Sequence, residues 1–221
     1  MLTSRRIVMA AVSSLLAATC HVAPKSDIAA AAADGDVKAL RRIIGSGRST
    51  NAADADGWTP LIWAAREGRV EAVRALLERG ADPNLPDSSG NGWTPLLHAI
   101  HRDQPEVVEA LLDGGAKADR QIGNGLSPLM MAAGYGQTEI VKVLLQNGAN
   151  PRRMNDRGEN ALDLALTGVT DIDDFSFIRC QDATTRAILE ADPKIPFGGT
   201  SADKFAATAA RVKRCARPGK L

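Results

Sequence analysis

Apolar residues recur at helical spacing in short paired blocks along much of the chain, and the clearest block is 57–84, GWTPLIWAAREGRVEAVRALLERGADPN. Thr59 stands where a helix N-cap would, and Pro60 follows at the first helical position, where a missing N–H costs nothing. Leu61, Ala64 and Ala65 then fall on one face, and Gly68 interrupts the pattern. Val70, Val73, Leu76 and Leu77 form a second apolar face that ends at Gly80, as a left-handed C-cap would end it. The pattern predicts two short antiparallel helices joined by a turn. Such a unit cannot bury its apolar stripe alone and has to stack on copies of itself.

The copies are present. Thr59, Thr94 and Ser127 precede Pro60, Pro95 and Pro128, and Leu61, Leu96, Leu129 and Leu162 keep one register at intervals of 35, 33 and 33 residues. Gly80-Ala81, Gly115-Ala116 and Gly148-Ala149 keep the same spacing. GWTPLIWAA, GWTPLLHAI, GLSPLMMAA and a degenerate GENALDLAL resemble the ankyrin repeat, with its period near 33 and its G-x-T-P-L-H-x-A-A opening. The resemblance covers 27 to about 193 and implies an all-α solenoid of about five helix-turn-helix repeats. One departure is plain: Ile62, Leu97, Met130 and Asp163 stand where the family has its histidine, which puts that residue's local hydrogen bonds in question.

The segments are expected at 27–53 for an N-terminal capping repeat, then 54–86, 87–121, 122–154 and 155–193. In the first, Ile28 to Ala33 reads as one helix, Gly35 as its break, and Val37, Leu40, Ile43 and Ile44 as a second helix ended by Gly45. An atypical end repeat is expected because one of its faces meets water. The second full repeat carries two extra residues in LPDSSGNG, a turn composition that lengthens one finger-like loop. The fourth carries about eleven extra residues in GVTDIDDFSFIRCQD before a second helix with Ile188 and Leu189. Residues 194–221 are expected to hold a capping helix, Ala202 to Cys215, and a solvated basic tail.

The chain begins MLTSRRIVMAAVSSLLAATC, with Arg5 and Arg6 ahead of an apolar run from Ile7 to Ala18. That run is shorter than the ~20 residues a membrane span needs, and small residues follow it, so 1–23 reads as a secretory signal peptide. A membrane anchor or a buried helix is the alternative. Cleavage after Ala18 or Cys20, a twin-arginine route through Ser4-Arg5-Arg6 and lipidation at Cys20 all stay open, the last ranked lower because Ala17 and Thr19 fit a lipobox poorly. A periplasmic or secreted bacterial protein, monomeric, is expected.

Lys and Arg total 27 and Asp and Glu 26, so no basic excess argues for nucleic acid. Aromatics are 4%, too few for a single-strand stacking platform. No nucleophile stands beside a convincing base, and no phosphate-binding or dinucleotide glycine loop occurs; no enzyme activity and no cofactor are expected. His98 and His101, three apart on one helix, lack a third metal ligand at diagnostic spacing, and His98 occupies the slot of Trp63, Met131 and Leu164, which suggests packing. Asp171, Asp173 and Asp174 lack the rest of a calcium loop.

The resemblance implies a protein-binding module, with the residue after the turn glycine and two residues late in the first helix lining a concave groove. In this chain these are Trp58, Arg66 and Glu67, then Trp93, His101 and Arg102, then Leu126, Gly134 and Tyr135. Two of the three tryptophans and the single tyrosine fall in the set, and Trp, Tyr and Arg are enriched in interface hot spots. Packing of Trp58 and Trp93 against the neighbouring repeat is the alternative. Partner classes left open are a periplasmic toxin, an envelope or stress enzyme, a host protein met by a secreted effector, or no specific partner for a structural scaffold. With Cys20 in the leader, Cys180 and Cys215 form an even pair in an oxidising compartment and are expected to bond; two unpaired small hydrophobes are the other reading.

Overall fold

The computed structural model describes residues 26–88, 90, 92–167, 182–196 and 198. The expected leader, the repeat-four insertion with Asp171, Asp173, Asp174 and Cys180, and the expected capping helix with Cys215 lie outside the described residues.

Ten helices are described, in five pairs: α1 (Asp27–Asp34) with α2 (Val37–Gly45), α3 (Pro60–Arg66) with α4 (Val70–Glu78), α5 (Pro95–His101) with α6 (Pro105–Asp113), α7 (Pro128–Tyr135) with α8 (Thr138–Gln146), and α9 (Ala161–Thr167) with α10 (Asp182–Ala191). The first helices stack on one another in chain order, and so do the second helices, making two layers. Among the described residues there is no strand, only an isolated bridge between Ile122 and Leu126. The fold is an all-α repeat solenoid.

The core lies between the layers. Leu61, Leu96, Leu129 and Leu162 are buried in the first layer, and Leu76, Leu111, Leu144 and Ile188 in the second. Each such side chain contributes ~1.5–3 kcal/mol on burial, against ~1 kcal/mol for a helix cap. This ranking explains the caps. Thr59 Oγ1 accepts from the Ile62 amide and Ser127 Oγ from the Met130 amide, each at 3.2 Å. Thr94 makes no such bond, and α5 forms regardless because Leu96, Leu97 and Ile100 are buried.

Each second helix closes in the same way. The Ala81 amide donates to Leu76 O and the Gly80 amide to Leu77 O, and the pattern returns at Ala116/Leu111 with Gly115/Leu112, and at Ala149/Leu144 with Gly148/Leu145. These paired bonds satisfy carbonyls that a helix end leaves open, which is the physical content of the Gly-Ala repeat. In the N-terminal pair the second helix ends at Gly45, as expected. Gly45 is the last helical residue, and the left-handed residue is Gly47, at φ 92, 33 residues before Gly80.

An amide side chain then links neighbouring repeats. Asn84 Nδ2 donates to Gly115 O at 3.0 Å, and the Lys117 amide donates to Asn84 Oδ1 at 2.9 Å. Asn51 bridges to Gly80 O and the Asp82 amide, and Asp119 accepts from the Asn150 amide at 2.8 Å. At the next position Arg152 takes over, binding both Asp192 carboxylate oxygens and reaching Lys194 O.

The last repeat is closed by the chain itself. Asn160 Oδ1 accepts from the Leu162 and Asp163 amides while Asp163 Oδ2 accepts from the Asn160 amide, a reciprocal cap at the start of α9. The same two buried side chains hold the segment beyond α10: Asn160 Nδ2 donates to Pro196 O, and the Gly198 amide donates to Asp163 Oδ2.

Candidate protein-binding surface

Each finger begins as a tight turn whose ends pair. The amides of Asp54, Asp87, Ile122 and Asn155 donate to the carbonyls of Trp58, Trp93, Leu126 and Glu159. In the first two fingers the aspartate does more. Asp54 Oδ1 accepts from the Trp58 amide and Asp87 Oδ1 from the Trp93 amide, each at 2.9 Å. The other carboxylate oxygen reaches the first helix: Trp63 Nε1 donates to Asp54 Oδ2 at 3.2 Å, and His98 Nε2 donates to Asp87 Oδ2 at 2.9 Å. The hydrogen bonds in question at Ile62 and Leu97 are therefore made from the next residue along, while Ile62, Leu97 and Met130 are buried apolar side chains. Gly57, at φ 75, lets the first finger lie against Ser88 of the next one, whose amide donates to Asp56 O.

With the fingers fixed, six rings form a continuous ladder over three repeats. The Trp58 ring lies 4.7 Å from Trp63 and 4.9 Å from His98 of the next repeat, tilted against both. Trp93 meets His98 at 5.4 Å and His101 at 5.2 Å, both edge to face. His101 meets Tyr135 at 5.9 Å, and its Nδ1 lies 3.0 Å from the Tyr135 hydroxyl, hydrogen bonded. Trp63 and His98 are buried, whereas Trp58, Trp93, His101 and Tyr135 are half-buried and keep a solvent-facing edge.

Arg66 ends α3 with its guanidinium 5.1 Å from the centre of the Trp58 ring, a cation–π distance. Burial first, then the nearby Arg102 charge, hold this guanidinium below the ordinary arginine range, with Glu67 opposing. Arg66, Glu67, His101, Arg102, Asp103 and Gln104 line an open hollow of about 350 Å³ beside the ladder. Asp103 has φ 53, making it the non-glycine residue with positive φ among the described residues; glycines stand at the matching turns, Gly35, Gly68 and Gly136.

The structure thus brings together Trp58, Arg66, Glu67, Trp93, His101, Arg102 and Tyr135. Leu126 does not join them: it is 6% exposed and belongs to the core, where it pairs with Ile122. Gly134 is buried as well. The correction has a physical reason, since an aliphatic residue at the tryptophan position has no polar edge to keep in water. Reading the sequence missed Asp54 and Asp87, although an aspartate ahead of each Gly-Trp turn was a visible signal, and it missed His98 as the ring that joins two repeats. His98 is bonded to Asp87 and His101 to Tyr135, and no group of three metal-ligating side chains occurs among the described residues. No described helix is long and apolar enough to cross a membrane.

Comparison with known proteins agrees with this architecture. A family model described as ankyrin repeats (3 copies) matches residues 28–122 and 115–175. The chain is 43% identical over 51 residues to ankyrin repeat, SAM and basic leucine zipper domain-containing protein 1 of Carollia perspicillata, covering 23% of this chain and 11% of that protein. It is 46% identical over 55 residues to the human DNA-binding protein RFXANK, covering 24% and 21%. It is 64% identical over 31 residues to ankyrin repeat protein nuc-2 of Neurospora crassa, covering 14% and 3%. The chain thus spans about a fifth or less of the length of these curated relatives. The paired helices, their stacking and the matched repeats make this chain a member of the ankyrin repeat family, whose repeats generally mediate protein–protein interaction.

Proposed function

We propose that this chain is a non-enzymatic binding module that seats one protein partner on the groove formed by Trp58, Arg66, Glu67, Trp93, His101, Arg102 and Tyr135. The ring ladder carries the reading. Its outer members combine large rigid contact area with polar edges and an adjacent guanidinium, the composition found at interface hot spots. In this proposal the partner is met after export, in a bacterial periplasm, under the leader expected at 1–23. There the module acts as an inhibitor of a toxin, as an immunity protein would, or as an accessory to an envelope or stress enzyme. Neither nucleic acid nor a cofactor enters the proposal, and the module acts as a monomer.

Affinity purification from periplasmic extract with the parent chain and with Trp93→Ala and Arg102→Ala tests this. A partner retained by the parent and weakened by ~1–3 kcal/mol in either variant, with both variants folded, supports the groove. A partner bound equally by all three sinks it. Fractionation of the producing cell separates a periplasmic module from a secreted effector that meets a host protein.

A further inference from the structure

We infer that the ring ladder receives a proline-rich segment of the partner in the polyproline II conformation, seated with every third residue against a ring; the inference rests on the groove reading above and names the chemistry of its partner. Two observations carry it. The first is spacing. The contacts from Trp58 to His98 and from His98 to Trp93, of 4.9 and 5.4 Å, hold the Trp58 and Trp93 ring centres within about 10 Å of each other. Stacked helices that carry such positions lie ~8–10 Å apart. From Trp93 the ladder continues through His101 to Tyr135, by contacts of 5.2 and 5.9 Å. A polyproline II helix rises ~3.1 Å per residue with three residues per turn, about 9.3 Å in all, so one of its faces meets a new ring at each turn.

The second observation is a pair of open donors. Trp63 Nε1 donates to Asp54 Oδ2. Trp58 Nε1 and Trp93 Nε1 have no acceptor among the described residues and are not sealed from water, so two adjacent fingers each offer a half-buried ring with a free N–H. Polyproline II has no internal hydrogen bonds, and its carbonyls stand open to such donors. An α-helix matches the spacing over two turns, about 10.8 Å, but its carbonyls are already bonded and both indoles would stay unpaired. A strand has open carbonyls, but its same-face residues recur every ~6.6 Å and miss the step. The hollow beside the ladder carries Arg66 and Arg102 against Glu67 and Asp103, a balance that suits an uncharged segment. A segment already held in polyproline II also loses little conformational freedom on docking.

The experiment titrates the isotope-labelled full chain with a capped proline dodecamer and reads the indole N–H signals of its three tryptophans by NMR, assigned through Trp58→Phe and Trp93→Phe. The expected result is a saturable shift of the Trp58 and Trp93 signals while the Trp63 signal stays in place. Trp93→Phe, which keeps a ring and loses the donor, weakens the peptide about two- to tenfold, and a capped Gly-Ser dodecamer gives no saturable shift. Random dodecapeptides displayed on phage and selected on the full chain, with Trp93→Ala, shown folded by circular dichroism, as counter-selection, are expected to enrich proline at three-residue spacing. Shifts that fail to saturate, a Gly-Ser peptide that binds as well, or a Trp93→Phe chain that binds as the parent does overturn the polyproline II reading. Winning peptides that depend on Trp93 but lack the proline spacing overturn it and leave the groove standing. A library that yields no binder dependent on Trp93 overturns the groove and the inference with it.

Discussion

Asn84 offers the sharpest test of how these repeats are held to one another. Its side chain makes two hydrogen bonds to the backbone of the following repeat, at 3.0 Å to Gly115 O and at 2.9 Å from the Lys117 amide. Asn84→Ala removes both. A typical intramolecular hydrogen bond contributes ~0.5–1.5 kcal/mol net, and these two lie in exposed surroundings, where water replaces part of each. The expected cost is about 1–2 kcal/mol, or about 3–6 °C in Tm for a chain of this size. Asn84→Asp keeps the acceptor for the Lys117 amide, as Asp119 already does for the Asn150 amide at the next interface, and is expected to cost about half as much. Urea unfolding followed by circular dichroism measures both, with an unchanged m-value required for the comparison. Because contacts in a repeat stack run between neighbours, amide exchange in the Asn84→Ala variant is expected to quicken first around 80–84 and 115–120. An Asn84→Ala chain within 0.5 kcal/mol of the parent, or an Asp variant as unstable as the Ala variant, refutes the reasoning.

Three further outcomes are expected. Asp103→Gly raises stability by about 0.5–1 kcal/mol, since a left-handed L-residue costs ~1–2 kcal/mol and glycine's greater backbone entropy offsets part of the relief; a lower urea midpoint contradicts it. The Arg152 hydrogen bond holds the Asp192 carboxyl below the usual carboxylate range. A depressed folded pKa stabilises above the unfolded value, ~3.9 for Asp, and that support is lost as pH falls through the folded value. The stability gap between the parent and Arg152→Ala therefore narrows from pH 7 to pH 3, and a gap that stays constant refutes the linkage. Finally, giving the second finger the side chains of the third, by Asp87→Ile, Trp93→Leu and His98→Met together, leaves a cooperatively folding chain that has lost partner binding; a variant that folds and binds as the parent does refutes the groove.

The fold was legible because a helical stripe is a local signal repeated four times. Leu61, Leu96, Leu129 and Leu162 each announce the same burial, and Gly80, Gly115 and Gly148 each announce the same helix end. Atypical caps were less legible. The helix does end at Gly45, the first glycine after the apolar run, but the left-handed position that closes the other second helices falls two residues later, at Gly47. The candidate site was legible in part: its half-buried rings stood at repeat-matched positions with unusual aromatic content. Its supports were not, because the bonds from Trp63 to Asp54 and from His98 to Asp87 join a helix to a loop nine and eleven residues away, and no sequence periodicity encodes such a contact. Leu126 was misplaced for the same reason: register gives a position on the solenoid, while side-chain chemistry decides whether it turns outward.

The third finger acts as an internal control on what the first two are for. All three close the same backbone pairing, from Asp54 to Trp58, from Asp87 to Trp93 and from Ile122 to Leu126, at 3.0, 2.8 and 3.0 Å. In the third, Ile122 and Leu126 are buried, and Met131 fills the slot of Trp63 and His98; aliphatic packing is enough. The fold therefore does not require an aspartate, a tryptophan and a ring donor in a finger. A buried leucine contributes ~1.5–3 kcal/mol and a hydrogen bond ~0.5–1.5, so aliphatic packing suffices to hold the third finger. The polar-aromatic set persists in adjacent fingers, where its rings meet across the repeat boundary at 4.9 Å from Trp58 to His98, beside the Arg66 and Arg102 hollow. A continuous ladder of rings needs such adjacency, and a set of independent fingers does not, which supports the proposal that the ladder is a binding face.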